Sequence, residues 1–115
     1  MLDILVAGGG YVGLAVAAAI KQAAPHLAVE VVEIAPEDAW RRDPRASAII
    51  TAASRMLDVL GAWQAILPEA QPIEKMVITD SQTGDPVRPV FLTFDGEAGA
   101  AGEPFAHMVP NVAMV

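Results

Sequence analysis

Four glycines interrupt the apolar run "ILVAGGGYVGLAVAAAI", Ile4 to Ile20, and they limit what it can become. Gly8, Gly9 and Gly10 are consecutive, and each glycine in a helix interior is about 1 kcal/mol less favourable than alanine, so one helix spanning the whole run is disfavoured. Asp3 stands where a signal peptide carries a basic segment, and Lys21 ends the uncharged stretch short of a comfortable bilayer span. The run reads instead as three pieces, a buried strand, a glycine loop and a buried helix. "LDILVA" is apolar at nearly every position, the pattern of a strand covered on both faces. Gly8-Gly9-Gly10-Tyr11-Val12-Gly13 follows with the G-x-G-x-x-G spacing, and "LAVAAAIKQAA" then has good helix propensity up to Pro25.

"AVEVVEI" supplies a second strand, and its last acid, Glu33, lies about 20 residues after Gly13. Strand, glycine turn, helix, strand and spaced acid are together the context that a dinucleotide fingerprint needs. Each part has a physical purpose. Gly8 permits the tight turn, Gly10 carries no β-carbon to hold a pyrophosphate away from backbone amides, and Gly13 lets the helix lie close to the sheet. The amides at the helix start, where Val12 stands, and the positive end of the dipole face the phosphates. Glu33 can accept hydrogen bonds from ribose hydroxyls and would repel a 2′-phosphate, which favours FAD or NAD over NADP. The plain alternative is a glycine-rich turn before an Ala-rich structural helix.

With 54% hydrophobic residues, much of it alanine and valine, the 115-residue chain has material for a core and does not read as disordered. It carries 14 acidic against 7 basic residues, and Arg41, Arg42 and Arg45 are its one dense basic cluster. A sequence-independent grip on nucleic acid needs a larger positive surface, so no nucleic-acid partner is expected. The absence of cysteine excludes disulfides and thiolate metal sites. His26 and His107 lie too far apart in sequence for a local metal motif, and no metal is expected.

"PEDAWRRDPRASAIITAASRMLDVLGAW" starts as a polar connection and becomes a helical pattern, with Ile49, Ile50, Ala53, Met56, Leu57 and Leu60 at near-helical spacing before Gly61. From Pro72, "IEKMVITD" and "VRPVFLTF" are strand-like runs separated by "SQTGDP", which predicts a hairpin with Pro89 at an edge. "GEAGAAGEP" reads as a flexible loop, and "FAHMVPNVAMV" begins another apolar element. His107 is expected in the core with a satisfied imidazole, and Met56, Met76, Met108 and Met114 are expected as packing residues.

The G-G-G-x-x-G-L near the start, Glu33 closing the second strand, "DPRASAI", "LDVLGAW" and "PIEKMVITD" together resemble the FAD-dependent aromatic hydroxylases, and within them the ubiquinone-biosynthesis branch. The resemblance runs along nearly the whole chain but covers only the amino-terminal portion of such enzymes. It implies an α/β fold, with a Rossmann-like FAD-binding βαβ unit and following helix over 1–70 and a hairpin opening a β-rich substrate domain over 71–115, the chain being incomplete. Gly8, Gly10, Gly13 and Glu33 match the family's first FAD motif, and Arg45 matches an arginine placed near the flavin nucleotide, where a guanidinium can bridge pyrophosphate oxygens. An ordinary solvated arginine is the other reading of Arg45.

The activity implied is flavin-dependent ring hydroxylation of a small aromatic or prenylated-phenol substrate, with FAD as cofactor and NAD(P)H as reductant. The cofactor carries the difficult chemistry, and no catalytic residue is assigned in this portion. An NAD-dependent dehydrogenase and a non-catalytic nucleotide-binding module remain as alternatives. The resemblance further implies a cytoplasmic enzyme able to associate peripherally with the inner face of the membrane. The 115-residue chain alone is expected to be inactive and to self-associate through unpaired sheet edges.

Overall fold

A computed structural model describes residues 1–95 and 102–115, and these form a mixed α/β arrangement of three small sheets and short helices. The "GEAGAAGEP" loop lies largely outside the described residues. Strand β1 (Ile4–Ala7), helix α1 (Tyr11–Ala23) and strand β2 (Val29–Val32) follow one another as the residue pattern predicts. β1 and β2 pair in parallel, Ile4 opposite Val29 through Ala7 opposite Val32, and α1 is the crossover that a parallel pair requires. Lys21 fastens the far end of the helix, its ammonium donating to the Pro25 carbonyl at 2.7 Å and the Leu27 carbonyl at 2.8 Å.

The expectation that β1 and α1 are buried needs correction. α1 has no buried residue, and β1 alternates between half-buried and exposed, with Leu5 57% exposed. The physical reason is geometric: one crossover helix covers one face of a two-stranded sheet and leaves the other face open.

A second correction concerns the segment before Gly61. Ile49 and Ile50 belong not to a helix but to strand β3 (Ala46–Ile50), after which α2 (Thr51–Val59) begins. Two adjacent β-branched residues favour extended backbone, and a distant strand decides the matter. β7 (Ala106–Pro110) runs antiparallel to β3, Ile49 opposite His107 and Ser47 opposite Val109. At the junction the Thr51 amide donates to the Phe105 carbonyl at 3.0 Å and its hydroxyl to the Pro104 carbonyl at 2.6 Å. β4 (Gln71–Pro72) pairs with the other edge of β7, so this sheet has the order β3-β7-β4.

The core lies on this second sheet. Ile49, Val109, Trp63 and Ile66 form it, the last two from the short helix α3 (Trp63–Ile66), and Leu57, Ala113 and Met114 pack around them. Met114 therefore packs as expected, whereas Met56 and Met108 are each close to half exposed. Trp63 meets the edge of the His107 ring at 5.2 Å between centroids. The His107 Nδ1 is buried without a hydrogen-bond partner among the described residues, so its imidazole is not satisfied in the way the sequence reading expects. The predicted hairpin is present as β5 (Lys75–Thr79) and β6 (Val90–Asp95), antiparallel with an irregularity at Ile78/Thr79, and β6 begins immediately after Pro89.

Gly13 shows how tightly α1 sits on β1. A β-carbon there would overlap the Gly8 carbonyl oxygen and lie 3.4 Å from the Val6 Cγ1. Helix propensity alone would make Gly13→Ala stabilising by about 1 kcal/mol. A clash with backbone cannot be relieved by a rotamer change, and overpacking of this kind costs roughly 1–3 kcal/mol or more. The clash should win. Gly13→Ala is expected to lower the melting temperature in a circular-dichroism melt, and a raised one would show that helix and strand are not in close contact.

Candidate functional site

The turn between β1 and α1 opens into a cleft of about 1200 Å³. Its walls include Gly8, Gly9, Gly10, Val12 and Gly13 from the turn and helix start, Glu33 from the end of β2, and Arg42, Asp43, Arg45 and Asn111 from across the opening. All six residues singled out from the sequence, Gly8, Gly10, Val12, Gly13, Glu33 and Arg45, thus border one space. His107 is not among its lining residues.

Gly8 holds the turn at φ +112°, in the region that favours glycine, and its amide closes onto the Val32 carbonyl at 2.8 Å. Gly10 is the N-cap of α1, and no side chain caps that end. The first-turn amides of a helix have no intrahelical partner, and no acid stands in this first turn. A β-carbon on Gly10 would meet nothing within 4 Å, in contrast to Gly13. Helix packing requires Gly13 to lack a side chain; nothing among the described residues requires it of Gly10. The open space in front of Gly10, beside donors at the positive end of a helix, suits an anion.

Glu33 turns back onto this loop. Its Oε1 accepts from the Ala35 amide at 2.8 Å and its Oε2 from the Gly9 amide at 2.7 Å. These two backbone hydrogen bonds, Ala35 first, hold its carboxyl below the usual glutamate range. The Gly9 amide is therefore engaged within the protein, while each carboxylate oxygen keeps a lone pair for a further donor.

On the opposite side Arg45 is paired with Asp43. Its Nε donates to Oδ1 and its Nη2 to Oδ2, both at 2.8 Å, and the Arg45 amide also donates to Oδ1 at 3.0 Å. The guanidinium side chain stays 76% exposed while the carboxylate is 17% exposed. Asn111, in the 3-10 turn after β7, donates from Nδ2 to Asp43 Oδ2 at 3.1 Å and accepts the Ser47 hydroxyl at Oδ1, 2.7 Å away. The Ser47 oxygen lies 3.2 Å from the Tyr11 hydroxyl at the start of α1. A carboxylate only accepts, so Asp43 fixes which Asn111 atom faces it, Ser47 gives its one proton to Asn111, and Tyr11 donates to Ser47. The result is a directed chain of hydrogen bonds from helix α1 across β3 and the end of β7 to Arg45.

Asp43, Asn111, Ser47 and Tyr11 escape the sequence reading. Asp43 is adjacent to Pro44 in the quoted "DPRA" and could have been found from its spacing to Arg45. Asn111 carries no local signal, since its partners are far away along the chain. Among the described residues no group of three or more histidines and acids could hold a metal ion, and no helix is long and apolar enough to cross a membrane.

The Arg45 side chain, the Arg45 amide and Asn111, in that order, depress the Asp43 carboxyl well below its usual value. A carboxylate depressed in the folded state contributes stability at pH values above its unfolded value, and that contribution is lost as pH falls through the ordinary carboxylate range near about 4 towards the folded value. Glu33 acts with the same sign. The melting temperature is thus expected to fall below about pH 4, and less steeply in Asp43→Asn, which has no such proton to take up. Parallel pH profiles for the two proteins would remove Asp43 as a source of acid sensitivity.

No family model matches the chain. Two curated proteins are similar to it. It is 32% identical over 79 residues to the uncharacterized protein slr1300 of Synechocystis, across 69% of this chain and 19% of that protein. It is 37% identical over 114 residues to the ubiquinone hydroxylase UbiL of Rhodospirillum rubrum, across 95% of this chain and 24% of that protein. The chain therefore spans about a quarter or less of the length of these relatives. Along nearly its whole length this chain is related to part of a ubiquinone hydroxylase.

Proposed function

We propose that the chain supplies the adenosine- and pyrophosphate-binding portion of a flavin-dependent monooxygenase that hydroxylates the ring of a ubiquinone precursor. The observation that carries this reading is the open space before Gly10, bordered by first-turn amides, Glu33 and Arg45. A pyrophosphate fits that donor set, with amides on one side and a guanidinium on the other. The free lone pairs of Glu33 can take ribose hydroxyls, and its charge disfavours a 2′-phosphate. Similarity to a protein described as a ubiquinone hydroxylase supports the reaction class.

In this reading FAD, reduced by NAD(P)H, supplies the oxygen-transfer chemistry when bound, and the chain's own residues bind and orient it. The first-turn amides and Arg45 hold the pyrophosphate. Glu33 sets the position of the adenosine ribose. The β5–β6 hairpin is the opening of the sheet over the substrate. A dehydrogenase of the same fingerprint would continue parallel βα alternation after β2, and here β3 instead pairs antiparallel with β7.

The test is made on the full-length protein. It is expected to purify yellow with a flavin absorption band, and Gly10→Val should abolish that band while leaving the circular-dichroism spectrum intact, because a β-carbon at this position meets nothing within 4 Å. Normal flavin content in this variant would overturn the phosphate-loop assignment. Glu33→Ala should weaken FAD binding roughly tenfold or more, on the scale of a lost charge-assisted hydrogen bond. An unchanged affinity in a flavin titration would remove Glu33 from the ribose site.

A further inference from the structure

We propose that Asn111 is a positioning residue for anion binding: without touching the nucleotide, it fixes the Asp43–Arg45 pair so that the free guanidinium donors face the pyrophosphate position. The inference rests on the nucleotide reading above and extends it to a residue outside the fingerprint.

Arg45 is a long, exposed side chain, and an exposed ion pair by itself contributes too little to hold one geometry. Asp43 can act as a fixed platform only if something fixes Asp43. Asn111 meets that need in two ways. Its Nδ2 donates to Asp43 Oδ2 at 3.1 Å, and its backbone amide donates to the Arg45 carbonyl at 2.9 Å, so side chain and main chain grip both members of the pair. Asn111 is itself buried, at 7% exposure, and its carboxamide oxygen is engaged by Ser47. A buried carboxamide is costly unless its groups are hydrogen-bonded, and here both ends are. The Nε edge of Arg45 is used by Asp43, which leaves the Nη1 donors for a ligand. The bidentate clamp thereby sets which edge of the guanidinium the cleft receives.

The same chain reaches Tyr11 at the first turn of α1, through Ser47. Two sources of positive potential in the cleft, the helix start and Arg45, are held in register by one hydrogen-bonded path. Asn111 is its branching point.

The experiment uses ADP and adenosine as probes in calorimetric titrations of the full-length protein freed of flavin, since only ADP carries the pyrophosphate. Asn111→Ala is expected to weaken ADP binding about tenfold, the lower end of what partners of a ligating group contribute at metal sites, and to leave adenosine binding unchanged. In an Arg45→Met background the same substitution should have no further effect on ADP, because its influence passes through the guanidinium. Ser47→Ala should act in the same direction more weakly, and it carries the test if Asn111→Ala lacks the native circular-dichroism spectrum. Equal loss for ADP and adenosine, or full additivity with Arg45→Met, would overturn the positioning role and leave the nucleotide site standing. If the unaltered full-length protein, freed of flavin, binds neither probe, the nucleotide reading fails and this proposal with it.

Discussion

The antiparallel pairing of β3 with β7 is the interaction on which the rest of the arrangement depends. It joins residues 46–50 to residues 106–110. Loop-closure entropy opposes such a contact, and burial of Ile49, Val109, Trp63 and Ile66 on one face offsets it. Without this pairing there would be no core, because the β1–α1–β2 unit contains no fully buried residue of its own. The last step of the ladder also brings Asn111 beside Arg45. One pairing thus organises both the core and one wall of the cleft.

The opposite wall is governed by a different constraint, the absence of β-carbons. Gly13 is needed for contact between helix and strand, whereas Gly10 faces open space. Gly8 takes a backbone conformation that side chains rarely adopt. Two of these glycines therefore answer to physical demands within the protein, packing at Gly13 and turn geometry at Gly8, while Gly10 leaves space open at the helix start. That separation gives the glycine spacing its meaning, since a merely flexible turn would not demand it.

Charge in the cleft is arranged by hydrogen bonding more than by amount. The chain is acidic overall, with a formal net charge of −7, yet the opening before Gly10 is bordered by a helix start, Arg42 and Arg45. Two of the acids nearby are occupied. Glu33 is tied to two backbone amides and Asp43 to Arg45 and Asn111, so neither carboxylate is left unpartnered towards an incoming anion. Long-range repulsion from the rest of the surface is screened over a Debye length of about 10 Å at 0.1 M salt.

The residues alone were enough for the β1–α1–β2 order, the hairpin at 75–95 and six positions that border one cleft. These are local matters: periodicity, glycine and proline chemistry, and spacing within a single supersecondary unit reveal them. The sequence could not show that Ile49 and Ile50 are strand, because a short apolar run fits helix or strand equally and β7, far along the chain, makes the choice. Nor could it show how little of β1 and α1 is buried, since burial depends on what covers a face and not on the face itself. Asp43 and Asn111 escape for the same reason. A lone asparagine acquires a role only when folding sets its carboxamide between a serine and an aspartate. What the sequence by itself determined is the phosphate-loop candidate, written in residues that lack side chains. Only the tertiary structure decided how the arginine opposite is held, because that depends on hydrogen bonds between residues that meet only when β7 docks on β3.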